Sequence, residues 1–304
     1  MIQKSGGADT ATHTKKGTIV GMGGLSARVT RAGQALRRDG LGGIADRIRL
    51  RLAYRHPGPW SLRLQGGHFR FAHRGELYAY VETFVRHVYD RVPGFTPADG
   101  QTVVDVGANV GCFTAYALHH MRRGRLCALE PNPDAQARLV ALAAQWAPRR
   151  PHLRLDLGQA AVGAAPSQAR FVVPAGASVR GAFAGLVADD GSAHGLDVEV
   201  VSLDDWLAAR GVNAVDLLKI DVEGAEADVL TGAMATLAAT RRVVLEWHGP
   251  KRLEAVTRTL TAAGFRPALR LPDPDDPQVG IAYFKRADPA PAGRAAPSSQ
   301  TDQT

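Results

Sequence analysis

The chain has 304 residues, 45% of them hydrophobic, enough for one large α/β domain with extensions and a substantial core. Its net charge of +8 sits in residues 1–60, which carry 11 Lys/Arg against Asp9, Asp39 and Asp46; the remainder balances 26 basic with 26 acidic residues. A neutral body argues against a nucleic-acid partner, which needs basic residues interleaved with aromatics. No apolar run reaches the length of a membrane span, and with only Cys112 and Cys127 present a disulfide framework is not expected. A reducing cytoplasm is the expected compartment, with both cysteines serving as small core residues.

In chain order, residues 1–57 read as a basic N-terminal extension whose first 23 residues are disordered. Val29, Ala32 and Leu36 recur at helical spacing, and so do Ile44, Ile48 and Leu52 among Arg47, Arg49, Arg51 and Arg55. Such helices either pack on the body or meet an acidic surface such as anionic lipid. The body of the chain is expected over residues 58–286, and residues 287–304 form an Ala/Pro/Ser/Thr tail expected to be disordered. Leu62, Leu64, Phe69 and Phe71 alternate as a β-hairpin, and a stripe of Val81, Phe84, Val85 and Val88 predicts a helix over Leu77–Val92.

Next comes a β-branched run, Thr102–Val106, that turns through Gly107 and Gly111 into a helix-like segment. This order predicts a buried parallel strand, a tight loop at its carboxyl end and a helix, with Asp105 facing a ligand in the crevice beyond the strand tips. The dinucleotide fingerprint is absent, because position 109 is Asn and position 112 is Cys; no Gly-Lys-Ser/Thr follows for a P-loop either. A second apolar run, Leu126–Leu129, ends in Glu130, an acid placed to accept two ribose hydroxyls. A glycine turn and an acid without a pyrophosphate site point to S-adenosylmethionine. A dehydrogenase is disfavoured by the same residues.

Further along, Asp134–Trp146 reads as a helix and Leu153–Leu157 as a third strand leading to small residues at Ala160 and Ala161. Those small residues either let a flat adenine lie against the backbone or serve tight helix–sheet packing. Strands at 169–173 and 198–201 flank a Gly/Ala/Asp-rich loop, 174–197, expected to recognise the substrate. Ser202 is the expected N-cap of a helix over Leu203–Arg210. Val215–Ile220 and Arg241–Trp247 read as strands, Ala225–Ala239 and Arg252–Ala263 as helices, and Arg266–Leu271 with Gly280–Lys285 as a closing antiparallel hairpin. The alternation describes one doubly wound sheet with an antiparallel end.

Three stretches carry a family resemblance: Asp105–Thr114, Ala128–Pro133 and Asp216–Glu226, the last running Asp-Leu-Leu-Lys-Ile-Asp-Val-Glu-Gly-Ala-Glu. Together with Ala161–Gly163, Ser202–Trp206 and Val244–His248 they resemble the FkbM family of S-adenosylmethionine-dependent methyltransferases, over roughly Glu82 to Phe284. The resemblance implies a class I methyltransferase (Rossmann-like) fold with a seven-stranded sheet, and usually O-methylation of a small molecule, secondary metabolite or glycan. It also implies that the helix before the first strand covers the cofactor's methionine end, near Tyr78 and Glu82. The expected cofactor set is Asp105, Gly107, Ala108, Asn109, Gly111, Glu130, Asn132 and Ala161.

Lys219, Asp221 and Glu223 gather at the end of one strand, and Glu246 and His248 at the end of the next. His248 is the expected base for a hydroxyl, since imidazole titrates near neutrality, with Asp221 orienting the acceptor. Glu226 is expected to neutralise the following helix's N-terminus. Asp221, Glu223, Glu246 and His248 could also gather a divalent cation, but their motif lacks dedicated ligand spacing and no metal ligand is assigned from it. The rival functions are a non-catalytic adenosyl-binding protein and an N-methyltransferase; the former would not need the polar cluster on the later strands.

Overall fold

The computed structural model describes residues 41–65, 67–172, 185–187 and 195–286. The segments 1–23 and 287–304, the stripe of Val29, Ala32 and Leu36, and most of the loop 174–197 lie outside the described residues. Two compact units divide the chain, Met1–Ile44 and Ala45–Thr304.

Helix α1 covers 41–53. Within the second unit its buried residues are Asp46, Leu50 and Ala53, whereas Ile48 and Leu52 of the expected apolar stripe are exposed. Asp46 accounts for the difference. Its carboxylate accepts from the Gln65 backbone N–H at 2.7 Å and the Tyr80 hydroxyl at 2.6 Å and pairs with Arg49 at 3.2 Å, so the charge is compensated where it is buried. The second unit therefore begins ahead of residue 57.

A hairpin of β1 (Trp60–Leu64) and β2 (Gly67–Phe71) follows, then α2 (Arg74–Tyr80), which runs on as a π-helical turn over Val81–Arg86. His87, in the left-handed region at φ 53°, stops it. The next elements alternate: β3 (Thr102–Val106), α3 (Cys112–His120), β4 (Arg123–Leu129), α4 (Pro133–Ala144) and β5 (His152–Gly158). A small second sheet contains β6 (Ala161–Val162), β7 (Ser167–Val172), β8 (Gly185–Val187) and β9 (Gly195–Val201). The strands expected on either side of the 174–197 loop are thus β7 and β9, paired antiparallel.

Then come α5 (Leu203–Ala208), β10 (Leu217–Ile220), α6 (Glu226–Thr231), α7 (Met234–Ala238), β11 (Arg242–His248), α8 (Pro250–Ala262), β12 (Phe265–Pro272) and β13 (Val279–Arg286). Ser202 caps α5 as expected, its Oγ accepting from the Asp205 N–H at 3.1 Å. The single helix expected over 225–239 is instead two, broken at Gly232. The Gly163 carbonyl approaches so closely there that a Cβ on Gly232 would lie 2.0 Å from it.

The main sheet has seven strands in the order β12-β13-β11-β10-β3-β4-β5, with β13 antiparallel to both its neighbours. The remaining pairings are parallel. Alternate residues of the central strands serve two cores. Val103, Leu217 and Val244 join α2, α3 and α4 on one face; Val104, Leu218 and Leu245 join α5, α6 and α8 on the other. This is the doubly wound α/β sheet expected from the strand–helix alternation. Each such fully buried side chain contributes about 1.5–3 kcal/mol, so the parallel centre is firmly held and the loops at its carboxyl edge stand on a rigid base. Among the described residues no helix is long and apolar enough to cross a membrane.

Candidate active site

One pocket opens at the carboxyl ends of β3, β4, β10 and β11. Its first wall is the glycine turn after β3. Gly107, Ala108 and Asn109 line it, with Asn109 held at φ 50°, a left-handed geometry that Asn tolerates better than most residues. Glu130, at the tip of β4, ties this turn to the next: Oε2 accepts from the Asn109 N–H at 2.7 Å and Oε1 from the Asn132 N–H at 2.9 Å. Burial raises the Glu130 carboxyl to about 7 against the opposing pull of those two N–H groups. Asn132 also lines the pocket while its side chain caps α4, accepting from Asp134 N–H at 2.9 Å and Ala135 N–H at 3.3 Å. Ala160, Ala161 and Val162 supply a small, apolar floor.

Asp105 and Gly111, both assigned to the cofactor from sequence, do not line this pocket. Asp105 is fully buried and points sideways to its neighbour strand, 3.1 Å from Lys219 Nζ, with its other oxygen accepting from Thr114 Oγ1 at 2.8 Å. Gly111 begins α3 at φ 89° and lets Leu139 of α4 approach; a Cβ there would lie 2.8 Å from Leu139 Cδ1. Gly107 does line the pocket, yet the space its missing Cβ leaves is filled by the Asp221 carbonyl, not by open room for a ligand.

The second wall is acidic. Asp221 and Glu223 follow β10, Glu246 lies in β11, and Glu82 reaches in from the π-helical turn. Asp221 Oδ2 accepts from Tyr89 Oη at 3.3 Å and lies 3.4 Å from Lys219 Nζ. Burial raises the Glu82 carboxyl to about 8, helped by the charge of Asp221; burial and Asp221 likewise push Glu246 well up, and burial raises Glu223. Lys219 is buried at 3% exposure and donates to the Gly107 carbonyl at 2.8 Å. Burial alone would lower its ammonium, but Asp105 and then Asp221 outweigh that and hold it charged.

His248 sits between two carboxylates. Nδ1 is 2.8 Å from Glu226 Oε1 and Nε2 is 2.9 Å from Glu223 Oε2, with Glu246 Oε1 4.0 Å away. Burial alone would lower this imidazole; hydrogen bonds to Glu223 and Glu226, reinforced by their charge and that of Glu246, raise it to about 11. Neither nitrogen keeps a free lone pair for a substrate proton, so the expected role of His248 as base does not fit this geometry. Glu226 is also more than a helix-dipole residue. It is 1% exposed and accepts from the Gly224 N–H at 2.9 Å besides meeting His248. Glu223 reaches its position at φ 52°, a left-handed conformation that costs a non-glycine residue about 1–2 kcal/mol and often marks a functional turn.

Sequence reasoning did not find Tyr89, and placed Glu82 only at the cofactor's methionine end. Both come from the segment ahead of β3, and no local spacing says which way that segment folds back. Cys112 borders the pocket and Cys127 is core; burial pushes the first thiol well up and the second to about 11, so neither is a thiolate.

A family model described as the methyltransferase FkbM domain matches residues 105–267, which hold the glycine turn, Glu130 and the carboxylates after β10 and in β11. The chain belongs to the FkbM methyltransferase family. Three relatives illustrate its range. The 31-O-demethyl-FK506 methyltransferase FkbM of Streptomyces tacrolimicus is 31% identical over 217 residues, 62% of this chain and 81% of that protein. The 2-O-methyltransferase NoeI of Sinorhizobium fredii is 39% identical over 59 residues, 19% of this chain and 24% of that protein. The AMB antimetabolite synthetase AmbE of Pseudomonas aeruginosa is 31% identical over 228 residues, 64% of this chain. The match spans only 11% of that synthetase. Glu82 and Tyr89 lie before the matched region, so this FkbM domain completes its pocket with residues from its own N-terminal side.

Proposed function

We propose that this FkbM-family methyltransferase uses S-adenosylmethionine to methylate a hydroxyl oxygen of a small molecule, a secondary metabolite or a glycan. One observation carries the reading: a single pocket runs from the glycine turn and Glu130 to the acidic wall of Glu82, Asp221, Glu223 and Glu246. The first half suits the cofactor. After its two backbone bonds Glu130 keeps a lone pair on each oxygen for vicinal ribose hydroxyls, and Ala160 and Ala161 leave a small-residue floor for a flat base. Gly107, Ala108, Asn109, Glu130, Asn132 and Ala161 are the residues that would hold it.

When bound, S-adenosylmethionine supplies a sulfonium-activated methyl group for direct displacement. The protein's part is to align the acceptor and take its proton. Alignment is worth effective molarities of ~10⁵–10⁸ M and a general base ~10²–10⁴-fold, so positioning dominates. The proton falls to a wall carboxylate rather than to His248. Glu82, raised to about 8, and Glu246, also raised well up by burial, are strong enough bases for this once ionised, and both face the pocket. Oxygen rather than nitrogen as the acceptor is favoured by the two relatives whose names specify O-methylation.

The test is turnover with S-adenosylmethionine and a panel of matched hydroxyl and amine acceptors, with product masses and fragments located by mass spectrometry. A methyl ether product supports the reading. An N-methyl product, or tight cofactor binding with no transfer to any acceptor, contradicts it.

A further inference from the structure

The acidic wall has more carboxylates than cations beside it. Lys219 is met by Asp105, and His248 by Glu226, at 3.1 Å and 2.8 Å. Asp221, Glu223 and Glu246 then share one pocket edge with Glu82. We propose that Asp221, Glu223 and His248 bind a divalent cation of the Mn²⁺ or Mg²⁺ class, placed to receive the acceptor's hydroxyl oxygen. This deepens the methyltransferase reading and rests on it for the ion's role, though not for its binding.

Three features of the geometry argue for it. One donor atom from each of the three residues lies within 4.8 Å of the other two. An octahedral ion with ligands at about 2.1 Å sets neighbouring donors about 3 Å and opposite donors about 4.2 Å apart. The 2.9 Å separation of His248 Nε2 from Glu223 Oε2 matches a neighbouring pair.

Second, the histidine is held as a ligand would be. Glu226, almost wholly buried, takes Nδ1 with Oε1 and so turns Nε2 toward Glu223 at the pocket edge, while its Oε2 has no hydrogen-bond partner among the described residues. A carboxylate behind a ligating imidazole fixes its tautomer and makes the other nitrogen a better donor. The third feature is Glu223's left-handed backbone, which brings this carboxylate onto Nε2 from a half-buried turn. An ion there takes the place of the proton shared between Nε2 and Glu223, and that proton leaves to solvent. It would also draw electron density from an acceptor hydroxyl and ease loss of its proton to Glu246 or Glu82.

The experiment is a Mn²⁺ titration of the full chain, freed of metal with a chelator, followed by electron paramagnetic resonance. The expected result is one Mn²⁺ per chain. Asp221→Asn and His248→Ala should each weaken it at least tenfold, and Glu226→Gln by ~10–100-fold through the imidazole. Circular dichroism checks that each variant folds; should His248→Ala fail, Asp221→Asn decides alone. No saturable Mn²⁺ binding at millimolar concentration overturns the inference, and so does unchanged affinity in Asp221→Asn. S-adenosylhomocysteine is titrated in parallel. A chain that binds it but not Mn²⁺ overturns the ion alone, whereas one that binds Mn²⁺ but not the nucleoside keeps the ion and overturns the cofactor reading.

Discussion

Lys219 and Asp105 stand directly opposite each other on the adjacent parallel strands β10 and β3, their charges 3.1 Å apart at 3% and 0% exposure. The pair lies at the tips of the two strands that carry the pocket's opposite walls. Lys219 adds a bond to the Gly107 carbonyl, so one ammonium fixes the glycine turn, the β3 tip and Asp221 together. These contacts suit it to position the other residues.

Lys219→Met should therefore lose stability and cofactor affinity together. Breaking a buried ion pair from one side costs about 3–5 kcal/mol, because the remaining carboxylate is left buried without its partner. Urea denaturation of the variant measures the first effect and S-adenosylhomocysteine titration the second. A variant that keeps wild-type stability while losing only turnover would place Lys219 in the chemistry instead.

The two glycines Gly107 and Gly100 separate backbone strain from close approach. Both have positive φ, at 75° and 83°, but a Cβ on Gly100 meets nothing within 4 Å, whereas one on Gly107 would lie 1.8 Å from the Asp221 carbonyl. Gly100→Ala should cost only the left-handed penalty, about 1–2 kcal/mol. Gly107→Ala should cost clearly more, since it must also push away the exit of β10 and with it Asp221. Thermal melts of the two variants, compared side by side, check the order.

Glu130 gives the pocket a pH dependence. Its carboxyl is raised by burial from the ordinary 4.5 to about 7, so in the free protein it contributes stability fully present below pH 4.5 and lost as pH rises through about 7. Ribose hydroxyls donate to the ionised form, so cofactor binding has the opposite slope and expels a proton below about pH 7. Affinity for S-adenosylhomocysteine should rise from about pH 6 to about pH 8, and Glu130→Gln should flatten that rise. Calorimetry at the two pH values, in two buffers of different ionisation heat, detects both the slope and the proton.

Much of this arrangement is written locally. The β-branched run of β3 extends over Thr102–Val106 in the structure as the sequence predicts, and Ser202 caps α5 through its own third neighbour. What escapes local reading is which partner a residue meets across the fold. Asp105 has the right position at a strand tip, but in a sheet covered on both faces the pattern cannot say that it turns to Lys219. At the break between α6 and α7, Gly232 lies against the Gly163 carbonyl and Asp204 accepts from the Ala235 and Thr236 N–H groups, partners far off in sequence. His248 carries no sign of its two carboxylates, because Glu223 belongs to the turn after β10 and Glu226 to the start of α6. The family motifs locate the strand ends; only the packing distributes the roles among them.

The proposed cofactor site is tested most directly by calorimetric titration of the full chain with S-adenosylhomocysteine and, separately, with NAD, repeated on Glu130→Ala. S-adenosylhomocysteine should bind one to one and NAD should not bind. Glu130→Ala removes charge-assisted hydrogen bonds worth about 1.5–3 kcal/mol each, so affinity should fall at least tenfold. Binding of NAD with no heat from S-adenosylhomocysteine, or an unchanged affinity in Glu130→Ala, would contradict the proposed site.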